Sequence, residues 1–152
     1  MVDRVLVPFD GAPLSRRALE WAAEEFPEAT IHVLYVVDQQ RDPTASEGWG
    51  DHPGEWEDWL ADRESYADEL FEMATAIATD RGATVETTVR IGRVVRETLD
   101  EVEEFDADLV VVGLHGRSSF VDVVAGDVAE AIVHRSPVPV VVVRNPPETT
   151  EG

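Results

Sequence analysis

The feature that most constrains this chain is a set of short, nearly unbroken runs of Val, Leu and Ile: VDRVLVPF at residues 2–9, IHVLYVV at 31–37, LVVV at 109–112 and VPVVVV at 138–143. A strand with one wet face alternates apolar and polar residues. One that is apolar at nearly every position is covered on both faces, the condition of a parallel sheet between two layers of helices. Segments with helical spacing separate the runs. From about Pro13, which suits the first helical position, Leu14, Ala18, Trp21 and Ala22 form a stripe. A second helix is expected over 62–80, with Tyr66, Leu70, Met73, Ala74 and Ile77 on its apolar face and Gly82 as its stop. Residues 94–102 and 128–134 read as two more helices, and ATVETTVRI at 83–91 alternates, as a strand with one wetter face does before ending at Gly92. This alternation predicts one α/β domain, a three-layer α/β/α arrangement around a five-stranded parallel sheet of Rossmann-like type.

The chain has 152 residues, a length suited to one domain, taken as 1–145, with 146–152 expected as a disordered tail. Residues 39–61 read as an acidic, turn-rich loop carrying Trp49, Trp56 and Trp59. Anchoring of this loop to the body is the commoner use of such aromatics, and stacking on a flat ligand ring is the alternative. Cysteine is absent, which excludes disulfides, thiolate nucleophiles and Cys-based zinc sites, and His32, His52 and His134 lack metal-ligand spacing. The start MVDRVLVPFDG has no apolar signal core, and no run approaches the roughly 20 residues of a membrane span, so a cytoplasmic protein is expected.

Charge narrows the partners. Twelve basic residues, all Arg, stand against 32 acidic ones for a net charge of −20. Such a surface repels itself unless salt screens it, and in about 1 M salt the screening length falls to about 3 Å, so a halophilic source is the favoured reading. An acidic face for a basic partner is the competing one. No basic stripe is present to neutralise nucleic-acid phosphates.

In parallel sheets, ligands sit beyond the carboxyl ends of the strands, where strand order reverses. The residues so placed are Asp10-Gly11, Asp38, Gly92-Arg93 and Gly113 to Gly116. Glycines after a strand admit close backbone approach, and successive N–H groups before a helix make an anion nest. His115, Arg117, Ser118 and Ser119 add donors for a polyphosphate. A tight turn with a serine cap is the simpler alternative.

Val5-Leu6-Val7-Pro8-Phe9-Asp10, Leu34-Tyr35-Val36-Val37-Asp38 and GLHGRSSFVDVVAGDVAEAIVHRSPVPVVVV together resemble the universal stress protein family over essentially the whole chain. Nucleotide-binding members of that family carry Gly, two residues, Gly, nine residues, Gly, then Ser or Thr. Here Gly113, Gly116 and Gly126 keep the spacing and Asp127 replaces the hydroxyl residue. The resemblance implies an adenine-nucleotide site for ATP or another adenylate, with Asp10 beside the nucleoside, Pro8 fixing the turn, Val36 at the adenine, and Asp127-Val128 following the phosphate loop. It also implies a homodimer paired through the last strand. That strand, Val138 to Val143, is an apolar edge blunted only by Pro139, and a two-fold pairing is the simplest way to cover it.

Asp127-Val128-Ala129-Glu130 has the spacing of a capping box, which would set the Asp127 carboxylate against the helix end a phosphate needs. Two unit charges about 4 Å apart repel by about 1 kcal/mol in water and about 4 kcal/mol at an effective dielectric of about 20. On that reading nucleotide binding is weakened or needs Mg²⁺ as a bridge. A nucleotide-free dimeric interaction protein is the alternative, and a weak ATPase a further one. P-loop and receiver chemistry are disfavoured because both rely on a lysine. No nucleophile with a base and orienter is visible, so the chain reads as no enzyme beyond slow hydrolysis.

Overall fold

The structure, a computed structural model, describes residues 1–38, 55–114 and 120–144, with side chains throughout except at residue 55 and residues 120–127. The elements run β1 (Arg4–Pro8), α1 (Pro13–Glu25), β2 (Thr30–Val37), α2 (Glu55–Thr79), β3 (Thr84–Ile91), α3 (Val94–Phe105), β4 (Leu109–Gly113), α4 (Phe120–Arg135) and β5 (Val140–Val143). The sheet order is β3-β2-β1-β4-β5, and every pairing is parallel. This is the five-stranded α/β architecture that the apolar runs predict.

The chain steps outward from β1 to β3, then crosses back to β4 and continues to β5. Parallel crossovers have one hand, so reversing the direction of travel moves the connecting helices to the opposite face. The two cores record this. Val5, Val7, Ile31, Val33 and Val111 pack with α1 and α2, while Leu6, Leu34, Val110 and Val112 pack with α3 and α4. Alternate residues of each central strand thus enter different cores, which is why its sequence cannot alternate apolar with polar.

Three local expectations are corrected. Helix α2 begins at Glu55, inside the stretch read as a loop to residue 61, because Trp56, Trp59 and Leu60 continue its apolar spacing. Trp59 is buried in the core and tilts over Trp56 at 5.4 Å, so both are anchors on a helix; Trp49 lies outside the described residues. The buried stripe of α2 is also rotated from the expected face: Trp59, Ala67, Leu70, Ala74 and Ala78 are buried, whereas Tyr66 and Met73 are 36% and 38% exposed. Small alanines let this helix lie close to the sheet, and the larger side chains ride at its flank. Finally, α4 starts at Phe120 and not near Val128. Gly126 and Asp127 are therefore inside a helix, and Asp127 is not a cap. The expected tail, 146–152, lies outside the described residues.

The polar face of edge strand β3 is covered by charge. Arg90 bonds Glu97 and Glu101 of α3, each at 2.7 Å, with Glu104 at 3.4 Å and Asp100 at 3.9 Å. These bonds, to Glu97 first and then Glu101, hold the guanidinium protonated beyond its ordinary range. At the other end of the sheet, the exposed Asp108 carboxylate accepts the N–H groups of Asp3 and Arg4 at 2.9 and 3.0 Å, tying the start of β1 to β4. Those two bonds favour the ionised form and lower its pKa from 3.8. A depressed carboxylate contributes stability above its unfolded value and loses it as pH falls through the folded one. The stability difference between wild type and Asp108→Ala is therefore expected to be constant above about pH 5 and to shrink during acid unfolding below pH 3.8; a gap that persists down to pH 2 in urea titrations would refute this role.

Candidate functional site

The strand order reverses between β1 and β4, the place where parallel α/β sheets bind ligands beyond the carboxyl ends of their strands. Pro8 is the last residue of β1, paired with Leu34, and Phe9 N–H extends the ladder to the Leu34 carbonyl at 2.8 Å. This carries Asp10 out of the sheet with an exposed side chain. Its Oδ1 accepts the Ala12 N–H at 2.9 Å, an Asx turn that closes before α1. Gly11 takes φ +83°, a left-handed conformation that a side chain would strain. Ser15 secures the turn by donating to the Ala12 carbonyl at 3.0 Å while accepting from Asp10 N–H at 3.4 Å.

The cap position of α1 is Ala12, which offers no side-chain bond, and its first turn holds no acidic residue. The charge nearest its N-terminal dipole end is therefore the Asp10 carboxylate on the Ala12 N–H, one residue before the helix. Gly113, at the end of β4, packs directly on this turn: a Cβ there would lie 2.5 Å from the Leu14 carbonyl oxygen. The sequence placed Gly113 at the strand end but gave no sign of this steric reason.

Near the end of β2, Val36 is half-buried and belongs to the α3/α4 side of the sheet. Asp38 is buried, and its Oδ2 lies 3.3 Å from the Val94 N–H and 3.7 Å from Arg93 Nε. It supplies the cap that α3 lacks, since Arg93 makes no side-chain cap bond of its own. Sequence inspection marked Asp38 only as a strand-end residue.

Pro8, Asp10 and Gly113 thus stand at the carboxyl ends of the adjacent strands β1 and β4, and Val36 stands near that of β2. His115, Gly116, Arg117 and Ser118 lie outside the described residues, between β4 and α4. Gly126, Asp127 and Val128 are on α4, where Val128 is half-buried against the second core. Among the described residues no group of three His, Asp or Glu could hold a metal ion, and no described helix is long and apolar enough to cross a membrane. Next to edge strand β5, Leu114, Ala129, Glu130, Val133, His134 and Val142 line a groove of about 410 Å³.

Residues 1–144 match the model of the universal stress protein family. The universal stress protein MJ0531 of Methanocaldococcus jannaschii is 28% identical over 150 residues, covering 96% of this chain and 84% of the relative. Among solved structures, hypothetical protein MJ0577 is similar with a TM-score of 0.77 at 22% identity, covering 97% of this chain and 99% of that one. A universal stress protein in complex with cAMP gives a TM-score of 0.66 at 23% identity, covering 94% and 97%. The Archaeoglobus fulgidus universal stress protein in complex with dAMP gives 0.63 at 21%, covering 93% and 97%.

Proposed function

The chain belongs to the universal stress protein family, and from that premise we propose that it is an adenine-nucleotide-binding regulatory module of a stress response. The observation that carries this reading is the strand-order reversal at β1 and β4, where exposed Asp10, Gly11, Gly113 and the uncapped start of α1 converge. A crevice at this point of a parallel sheet is where such folds bind nucleotides. That two structures of similar fold hold cAMP and dAMP supports the same ligand class. Asp10 takes the ribose, Pro8 and Val36 border the base, and the loop from Gly113 through His115, Gly116, Arg117 and Ser118 takes the phosphates ahead of α4. ATP is the proposed ligand, with Mg²⁺ neutralising phosphates in so acidic a chain. The setting we propose is the cytoplasm of a cell rich in salt.

Asp127 bears on this less than a helix cap would. It lies seven positions beyond Phe120, the start of α4, a rise of roughly 10 Å. At that distance a unit charge repels another by about 0.4 kcal/mol in water and about 1.7 kcal/mol at an effective dielectric of about 20. Asp127→Ser is accordingly expected to tighten ATP binding by roughly two- to twentyfold in dilute buffer and hardly at all in molar salt. A gain above a hundredfold would place the carboxylate against the phosphates instead.

Binding to the folded state alone raises the melting temperature. A panel of ATP, ADP, AMP, cAMP and GTP in concentrated salt is expected to stabilise the protein with the adenine compounds and not with GTP. Absence of any shift across the panel would leave the nucleotide-free dimer as the function.

We assign the α4/β5 groove to a second copy of the chain. Half-buried β5 forms one edge of the sheet, with exposed Val133 beside it, and pairing two such edges would cover both. Sedimentation velocity is expected to give a dimer, and a monomer at about 50 μM would contradict the assignment.

A further inference from the structure

We propose that His32 is a proton-sensitive fastener holding helix α3 to the sheet. His32 is buried on β2, a strand otherwise apolar from Ile31 to Val37. It faces α3, where the Phe105 ring lies against it at 4.3 Å. Both ring nitrogens look toward carboxylates: Nε2 is 2.8 Å from Glu101 Oε2 of α3, and Nδ1 is 3.6 Å from Glu86 Oε1 of β3. Neither nitrogen makes an aligned hydrogen bond, so the attraction between these groups depends on whether the imidazole carries charge. A neutral imidazole has one proton for two acceptors and turns a lone pair on one of them, whereas an imidazolium attracts both.

The wider surroundings share out as follows. Arg90 of β3 engages the other oxygen of Glu101, and Arg4 of β1 stacks on Phe105, its guanidinium carbon 4.5 Å from the ring centre. The residues that α4 adds to this core, Val128, Ala129 and Ile132, are apolar. Glu101 thus stands between one permanent cation, Arg90, and one conditional cation, His32. Protonation gives the ring a proton for each of Glu101 and Glu86, and deprotonation leaves it one proton for the two, which loosens the tie from β2 to α3. Because α3 begins at the Asp38 cap beyond β2, the fastener ties the lower part of this helix while Asp38 ties its start.

The test compares melting temperatures of wild type, His32→Leu and Glu101→Gln between pH 5.5 and 7.5, with the His32 ring resonances followed by NMR. Wild type is expected to lose roughly 3 °C more than either variant as pH rises across this range, in step with the loss of the His32 proton. Should His32→Leu fail to fold, Glu101→Gln and the NMR titration carry the comparison. Parallel melting curves, or a His32 ring that stays in one protonation state throughout, would overturn the proposal.

Discussion

Gly113→Ala is expected to destabilise the protein by about 3 kcal/mol, the upper part of the range for overpacking. The added Cβ would lie 2.5 Å from the Leu14 carbonyl oxygen, 2.7 Å from its carbon and 3.0 Å from its Cβ. Two of those three atoms are backbone, so no rotamer change relieves the contact. Neither side can retreat cheaply. Leu14 sits in the first turn of α1, which is fixed to the core by Leu14, Ala18, Leu19 and Ala22. Gly113 is in register with Val143, and the next N–H, of Leu114, donates to the Val143 carbonyl at 2.8 Å. Thermal denaturation is expected to show a drop of roughly 6–12 °C; a change within about 0.5 kcal/mol, as at an ordinary surface position, would show that α1 and β4 have room to separate. The glycine thus has a packing reason of its own, and weakened nucleotide binding in this variant would not by itself identify a phosphate contact.

Arg90→Ala is expected to cost about 3 kcal/mol by a different route. The Glu101 side chain is only 7% exposed and Glu97 only 17%, so removing the guanidinium leaves carboxylates in a poorly hydrated interface without their main counter-charge. Breaking a buried pair in this way costs about 3–5 kcal/mol, whereas replacing both members by apolar groups is often nearly neutral. The double variant Arg90→Met/Glu101→Leu should therefore be more stable than Arg90→Ala, despite carrying one more substitution. If urea melts show Arg90→Ala within about 0.5 kcal/mol of wild type, the edge of the sheet is held by the apolar residues of α3 alone.

How far the sequence could be read depended on whether the deciding contacts were local. Strands β1, β2 and β4 were legible because burial on both faces leaves an unbroken apolar run. The start of α2 was not, because acidic residues and a nearby glycine and proline outweigh the spacing of Trp56, Trp59 and Leu60. Its buried face is hard to read because Ala67, Ala74 and Ala78 give a weak hydrophobic signal, although they are buried against the sheet. Gly126 made α4 look as if it began later, since a helical glycine costs about 1 kcal/mol, but the helix runs through it. Asp10 and Gly113 could be placed because strand ends are visible. The cap from Asp38 to Val94 spans 56 positions, and the Arg90 cluster joins a strand to a following helix. An alternating strand looks the same whether water or an oppositely charged helix covers its polar face.

The proposed function rests on one claim, that an adenine nucleotide binds at the carboxyl ends of β1 and β4. The most direct measurement is a calorimetric titration of the folded wild-type protein with ATP in concentrated salt, with and without Mg²⁺. The account predicts saturable binding of one nucleotide per chain, weakened in Asp10→Ala and tighter with Mg²⁺. No heat in either condition, with Asp127→Ser equally silent, would contradict it and leave the glycine loop as a turn.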